Sequence, residues 1–373
     1  MLRAVAGEAR RIRGEVLPAD VPGMISLAIQ RPLGVVAGIA PFNFPLVLGA
    51  KKVSLALAAG NTFVLKPAEE TSLLGLKIAE VFQKAGLPAG VLNVVPGDGP
   101  TVCPVLFSDP RVRLISFTGS TAVGRMIAVE CAKNGKKAIL ELGGKSPLVI
   151  LKDADLGYAV STACFSVFIH QGQICMAGSR VIVEAAAYDA FLAGLTAKVK
   201  TLKVGDPRDP HTVIGPLIRA SQCQMIDSKV KESVAAGARL LAGGIYKGNF
   251  YSPTVLADVT PAMPVFRDEL FGPVVAVTKA DNADHALRLA NDTAYGLSSA
   301  VLTNDLQQAM RFALELEAGM VHLNGPTVHD EATVPFGGVK DSGDGREGGR
   351  WSMDQLTETK WITIQLGQRI YPF

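Results

Sequence analysis

Short apolar runs alternate along this chain with longer stretches whose apolar positions recur every three or four residues. Leu33–Ile39, Thr62–Lys66, Val91–Val95, Leu114–Phe117 and Lys137–Leu142 read as buried strands. Val47–Ala58, Ser72–Ala85 and a segment opening at Thr118–Gly124 read as the helices between them. Gly60-Asn61, Pro67, Gly86 and Pro96-Gly-Asp-Gly99 punctuate the series. Strands alternating with helices predict a parallel, doubly wound sheet covered by helices on both faces. The second half repeats the style less regularly. Helices are expected at Ala154–Ile169, Ala187–Leu202, Ala283–Asn291 and Leu306–Leu316. Strands are expected at Arg180–Val183, Val274–Thr278, Ser299–Leu302 and Met320–Leu323. This reads as a second α/β domain.

Two strands stand apart at opposite ends, Ile25–Ile29 and Trp361–Gln365. They are free to pair with each other or with another subunit. Pro32–Ala50 carries no charge and approaches the length of a membrane helix. Pro41, Asn43 and Pro45 interrupt it, however, and a lipid-exposed span would leave backbone groups unpaired there. It is expected to divide into a strand, a loop at Pro41–Pro45, and a helix, with no role for a membrane.

Composition narrows the class. Apolar residues are 48% of 373, ample for a large core and two domains. Lys plus Arg against Asp plus Glu, 37 to 34, leaves +3, which offers nucleic acid no electrostatic reason to bind. Five cysteines, at 103, 131, 164, 175 and 223, have no CxxC spacing. The odd count argues against a disulfide framework, and a reducing, cytoplasmic compartment is expected. Met1 is followed by the charged Glu8–Arg13 stretch rather than an apolar signal region. The histidines at 170, 211, 285, 322 and 329 show no metal spacing, so no metal is expected.

Several segments carry candidate chemistry. Phe117-Thr-Gly-Ser-Thr-Ala-Val-Gly124 follows a strand and opens a helix, where glycine and free N–H groups suit a phosphate. An ordinary N-cap at Ser120 explains the same residues. Lys66-Pro-Ala-Glu69 ends a strand with an amine and a carboxylate, suited to ribose hydroxyls or to a solvated turn. Cys175 lies among polar loop residues just before a strand, as a thiolate nucleophile would, though buried cysteines are commonly inert. Glu141 ends an apolar strand, either as a satisfied buried acid or as a general base. Asn43 offers an amide to an oxyanion. The run Gly343-Asp-Gly-Arg-Glu-Gly-Gly349 reads as a flexible loop, too rich in glycine to start a helix.

Taken in order, Pro41-Phe-Asn-Phe-Pro45, Lys66-Pro-Ala-Glu69, Phe117-Thr-Gly-Ser-Thr121, Leu140-Glu-Leu-Gly-Gly-Lys-Ser-Pro147, Gly172-Gln-Ile-Cys175, Glu269-Leu-Phe-Gly-Pro273 and Pro335-Phe-Gly-Gly-Val-Lys340 resemble the aldehyde dehydrogenase superfamily. The resemblance runs from Arg31 to Gln365. Gln173-Ile-Cys-Met176, Thr327-Val-His-Asp-Glu331 and Trp361-Ile-Thr-Ile-Gln365 are similar to the branch acting on salicylaldehyde, vanillin and benzaldehyde.

The resemblance implies a Rossmann-type cofactor domain over 1–141, with an oligomerisation strand at 14–32. It implies a catalytic α/β domain over 142–354 and a C-terminal oligomerisation strand over 355–373. Cys175 is implied as nucleophile and Glu141 as general base. The Asn43 amide and the Cys175 backbone N–H are implied as the oxyanion hole. NAD, with NADP possible, would meet Ile39, Ala40, Pro41, Phe42, Gly99, Phe117, Gly119, Val123 and Leu142. Lys66 and Glu69 would hold the adenosine ribose, Ser120 the pyrophosphate, and Glu269 the nicotinamide ribose, with Phe271 near the ring. The implied partner is a small aldehyde, oxidised to the acid with water as acyl acceptor, in a homodimer or homotetramer. Two departures stand out. The family's N-terminal region is lacking, so a wider substrate channel and bulkier aldehydes are expected. Asp344 replaces an aromatic residue of that branch. The alternatives are an impaired paralogue serving as a binding or structural protein, and a semialdehyde dehydrogenase.

Overall fold

Five strands carry the first half: β1 (Val35–Ile39), β2 (Thr62–Lys66), β3 (Leu92–Val94), β4 (Val112–Thr118) and β5 (Lys137–Glu141). In the computed structural model, which describes residues 1–373, they lie in the order β3-β2-β1-β4-β5. β1 pairs in parallel with β2 and with β4, and β2 with β3. The strand order reverses beside β1, which makes the β1/β4 junction the switch point of a doubly wound sheet. Helices α1 (Pro45–Ala58), α2 (Ser72–Lys84), α3 (Gly99–Ser108) and α4 (Thr121–Lys133) connect the strands. Val36, Val53, Leu55, Phe63, Leu65, Ile78 and Leu114 form the core beneath them.

α3 escapes the apolar pattern because Pro100 and Pro104 sit in it. Pro100 falls in the first turn, where a missing N–H costs nothing, and Asp98 caps the helix by accepting from Thr101 N at 2.7 Å. The uncharged stretch 32–50 divides as expected, into β1, a loop and α1. No helix of the chain is long and apolar enough to cross a membrane.

The chain resolves into two compact units. The first comprises Met1–Leu140, Glu331–Phe336 and Gly345–Phe373; the second comprises Glu141–Asp330 and Gly337–Asp344. Within the first, the end strands pair with each other. Met24–Pro32 runs antiparallel to Thr357–Gln365 from Met24↔Gln365 to Pro32↔Thr357, and Gly14–Leu17 adds on the other side.

The second unit is built on β6 (Pro147–Ile150), β7 (Arg180–Glu184), β8 (Arg239–Ala242), β9 (Thr254–Ala257), β10 (Val274–Ala280), β11 (Ser298–Leu302) and β12 (Met320–Leu323). Their order is β8-β9-β10-β7-β6-β11-β12, parallel except for β8 against β9. Val149, Ile182, Leu256, Ala276 and Val301 enter one core, while Leu148, Val181, Val255, Val275 and Ala300 enter another. Neighbouring residues thus serve opposite faces, which is why these strands read as unbroken apolar runs. β6 is missing from the sequence reading because its four apolar residues follow Gly143-Gly144-Lys145-Ser146 without any period.

The glycine-rich run from Gly343 to Gly349 is not a flexible loop. Gly343 and Asp344 form a short strand, Glu347 and Gly348 are buried, and a helix begins at Gly349. A positive φ of 138° at Gly348 lets the backbone turn into that helix. What holds Glu347 is charge: it is buried against Lys52 of α1, and Ser116 of β4 donates to it at 3.0 Å. Burial pushes this carboxyl up, but Lys52, Lys51 and the two hydrogen bonds together bring it below its usual value. A depressed carboxylate contributes stability above its unfolded pKa, and that contribution is lost as pH falls through the folded value. Glu347→Leu leaves Lys52 buried without this partner. It should lower stability by about 3–5 kcal/mol, and adding Lys52→Met should restore most of the loss. Thermal unfolding of the single and double variants checks this.

Candidate active site

The carboxyl ends of β1, β2 and β4 form one row in the first unit. Ile39 lies opposite both Lys66 and Phe117, and all three are buried. Just past β1, Ala40 N donates to Lys66 O at 3.0 Å, and Pro41 and Phe42 lead to Asn43, which is also buried. At the end of β2, Glu69 accepts from Lys66 Nζ at 3.0 Å and from the backbone N–H of Gly99, which opens α3, at 3.0 Å. Partial burial raises this carboxyl, but its own backbone N–H, Lys66 and Gly99 outweigh that and hold it below the usual carboxylate range. Three expected cofactor residues from separate elements therefore meet at one carboxylate. A Cβ on Gly99 would meet nothing within 4 Å, so the space beside that residue is open.

Past β4, Gly119 leads into α4. Ser120 is its N-cap, accepting from Val123 N at 3.5 Å, with Ser120 and Val123 exposed. The cap and a phosphate contact are compatible, because the other N–H groups of the first turn remain available. A carboxylate and a helix N-terminus on the same sheet edge suit a dinucleotide such as NAD(P).

In the second unit three segments close on Cys175. Glu141, which ends β5, and Leu142 just after it are both buried, and Leu142 N donates to Ser342 O at 2.9 Å. The next residues pass so near their neighbours that side chains do not fit. A Cβ on Gly143 would overlap the Glu269 carboxylate, and one on Gly144 would overlap the Cys175 carbonyl. Gly144 N donates to Glu269 Oε1 at 3.0 Å. Gly172 has φ of 69°, and a Cβ there would overlap the Gly272 carbonyl. His170 and Gln171 before it, and Phe271 beside Gly272, also have positive φ, at 53°, 56° and 50°. Such backbone is costly for residues with side chains and persists only where packing over-determines it. Gln222 Nε2 supports the Phe271 turn by donating to Leu270 O at 2.5 Å.

The electrostatics follow from this crowding. The Cys175 thiol is pushed up to about 12, first by burial, then by the charges of Glu269 and Glu141. Burial raises Glu269 to about 7, against the Gly144 N–H and the charge of Lys145. The resting thiol is therefore held protonated at neutral pH, with two carboxylates near enough to raise it by their charge.

Two residues escape sequence reasoning. Lys145 is almost fully buried with no hydrogen-bond partner at Nζ, and burial followed by the Arg180 charge brings it down to about 7. Ser342 donates to Gly143 O at 2.7 Å and accepts from Gly296 N at 2.9 Å, pinning the glycine pair from behind. Lys145 is visible inside Leu140–Pro147, yet nothing in a sequence says that its ammonium is buried. Ser342 follows the Pro335–Lys340 motif with no spacing to mark it.

The aldehyde dehydrogenase family pattern matches residues 1–362. Vanillin dehydrogenase of Pseudomonas fluorescens is 46% identical over 100% of this chain and 78% of its own length. A benzaldehyde dehydrogenase of Bacillus subtilis is 47% identical over 97% of this chain and 75% of its own. The solved structure of a salicylaldehyde dehydrogenase from Pseudomonas putida G7, complexed with salicylaldehyde, superposes with a TM-score of 0.97. It is 39% identical over 100% of this chain and 78% of that one. This chain belongs to the aldehyde dehydrogenase family, an α/β oxidoreductase that acts on aldehydes with NAD(P) as acceptor.

The charge around Cys175 sets an expectation for its reactivity. Alkylation by iodoacetamide should be slow in the cofactor-free protein at pH 8 and should rise steeply with pH. Glu269→Gln removes one raising charge and should speed it several-fold at that pH. Peptide mapping by mass spectrometry follows Cys175 separately from the other four cysteines; an unchanged or slower rate would show that Glu269 does not hold the thiol up.

Proposed function

We propose that this chain oxidises aromatic aldehydes to carboxylic acids, with NAD preferred over NADP. The observation that carries the reading is the convergence of Glu141, Gly143-Gly144 and Glu269 on the Cys175 thiol. Its likeness to vanillin, benzaldehyde and salicylaldehyde dehydrogenases supports an aryl substrate.

In this reading Cys175 is the nucleophile. Its proton passes to a neighbouring carboxylate, and the sulfur bonds to the aldehyde carbon. The carbonyl oxygen becomes an oxyanion held by the Asn43 amide and the Cys175 backbone N–H, a contribution typically worth about 3 kcal/mol. Bound NAD(P) supplies the hydride acceptor that turns this adduct into a thioester. Lys66 and Glu69 would hold its adenosine ribose, Ser120 and the start of α4 its pyrophosphate, and Glu269 its nicotinamide ribose beside Phe271. Ile39, Ala40, Pro41, Phe42, Gly99, Phe117, Gly119, Val123 and Leu142 would line its path. Glu141 then takes a proton from water, the hydroxyl adds to the thioester carbon, and the carbon–sulfur bond breaks to release the acid. The impaired-paralogue alternative is not favoured, because Cys175, Glu141, Asn43, Lys66 and Glu269 are all present.

Residues 1–141 would serve the cofactor and 142–354 the chemistry. Strands 14–32 and 355–373 would serve a homodimer or homotetramer. Trp361 and Ile364 stay exposed on the outer strand of the terminal sheet, an apolar edge that a second copy would cover.

An aldehyde panel assayed with each cofactor tests the reading. Benzaldehydes should be turned over with kcat/KM well above that of acetaldehyde or succinate semialdehyde. Glu141→Gln should retain a burst of reduced cofactor followed by a slow phase, because deacylation depends on its base more than hydride transfer does. Loss of the burst itself would place Glu141 earlier. NAD should be favoured because the Glu69 carboxylate repels a 2′-phosphate. Glu69→Gln should narrow the NAD/NADP ratio of kcat/KM about tenfold, since one pKa-scale unit of charge repulsion is about tenfold.

A further inference from the structure

The Gly143-Gly144 pair is followed by a buried charge that the chemistry above does not use. Lys145 is almost fully buried, and its Nζ has no hydrogen-bond partner. Its main chain is fixed on both sides. Arg180, equally buried, donates from Nε to Lys145 O at 3.1 Å. The N–H just before Lys145, that of Gly144, donates to Glu269 Oε1 at 3.0 Å. The remaining Arg180 donors go to carbonyls, Leu289 O at 3.0 Å, Ala290 O at 2.7 Å and Asp292 O at 3.2 Å, and the guanidinium lies 4.7 Å over the Phe266 ring. Arg180 thus adds a second buried cation and makes no ion pair. Asp268 is taken by Lys229 at 3.0 Å.

The charges around Lys145 are therefore Arg180, which opposes its protonation, and Glu269 and Asp268, which favour it. Glu269 in turn shares its surroundings with Cys175 and Glu141. Lys145 and Glu269 form no direct ion pair. In a poorly solvated interior a charge is nonetheless felt well beyond contact. The separation has a use. A salt bridge would occupy carboxylate lone pairs, whereas a cation set back leaves them to a ligand that donates hydrogen bonds.

We propose that Lys145 is a positioning residue for the cofactor, its buried ammonium keeping the Glu269 carboxylate ionised to accept the nicotinamide-ribose hydroxyls. The proposal rests on the reading of Glu269 as the ribose ligand. Burial raises Glu269 to about 7 against the pull of Lys145. Without that pull the carboxyl titrates higher still and is protonated at neutral pH, where it offers a donor in place of an acceptor. At higher pH the ammonium is lost but is no longer needed, because the solvent then ionises the carboxyl.

The test is the dissociation constant of NAD, measured by calorimetry across pH in the Cys175→Ala protein, which excludes thiol titration. Binding should be level above about pH 8 and weaken toward tenfold per unit below about pH 7. Lys145→Met should move that step up by about one pH unit, so that NAD binds about tenfold more weakly at about pH 7 and nearly as the parent at about pH 9.5. Lys145→Arg should keep the step near its original pH. In Glu269→Gln binding should be weak and level with pH, and adding Lys145→Met should change it little. A Lys145→Met loss that is equal at every pH, or equal with and without the Glu269 carboxylate, would make the lysine a packing element and overturn the proposal. Level binding by the parent from about pH 6 to 9 would overturn it even if Lys145→Met fails to fold. NAD binding unaffected by Glu269→Gln would overturn the ribose reading itself, a result distinct from a Glu269-dependent step that Lys145→Met leaves in place.

Discussion

The structure depends on a close approach of backbones around one thiol. Gly143, Gly144 and Gly172 sit where a methyl group would strike the Glu269 carboxylate, the Cys175 carbonyl or the Gly272 carbonyl. Main chain is the only material thin enough to let three segments reach the same few ångströms. Because the segments touch, the Cys175 thiol, Glu141 and Glu269 share one poorly solvated volume. Their ionisation is then coupled, and the proton of the thiol is a property of the cluster rather than of cysteine. The strained turn from His170 to Gly172 fits this picture. Local backbone cost is accepted there because the packing of Gly172 on Gly272 leaves no other path.

Buried charge is handled differently in the two units. In the first, Lys66 meets Glu69 and Lys52 meets Glu347, so each ammonium has a carboxylate within reach. In the second, the Lys145 ammonium has no hydrogen-bond partner, and both it and Glu269 are drawn toward neutrality. Paired charges fix geometry. Groups poised near pH 7 change their charge when a ligand brings its own.

Much of this was legible beforehand. β1, β2, β4 and β5 follow from apolar runs with sharp stops, and the row of Ile39, Lys66 and Phe117 follows once the sheet is parallel. The motif residues were legible as a set, because seven weak signals in fixed order are stronger than any one. What stayed hidden has physical reasons. α3 carries two prolines, β6 has no period, and the turn at Gly348 looks like slack until Glu347 is seen to be buried against Lys52. Lys145 and Lys51 are hidden for a common reason. Pattern reading assigns lysine to the surface, and only coordinates show an ammonium inside.

The first unit is discontinuous: Met1–Leu140 is completed by Glu331–Phe336 and Gly345–Phe373, after the whole second unit has intervened. On the ribosome, α1 therefore emerges roughly 15–60 s before its partner Glu347, at usual synthesis rates of 5–20 residues per second. During that interval Lys51 and Lys52 must stay hydrated, so the helix cannot take its final place against β4. Neither unit has all of its residues until its last segment is made, Gly337–Asp344 for the second and Gly345–Phe373 for the first. Transiently uncovered apolar surface of this kind is what chaperones bind and what aggregates, so the discontinuity of the first unit is a demand on synthesis as well as on structure.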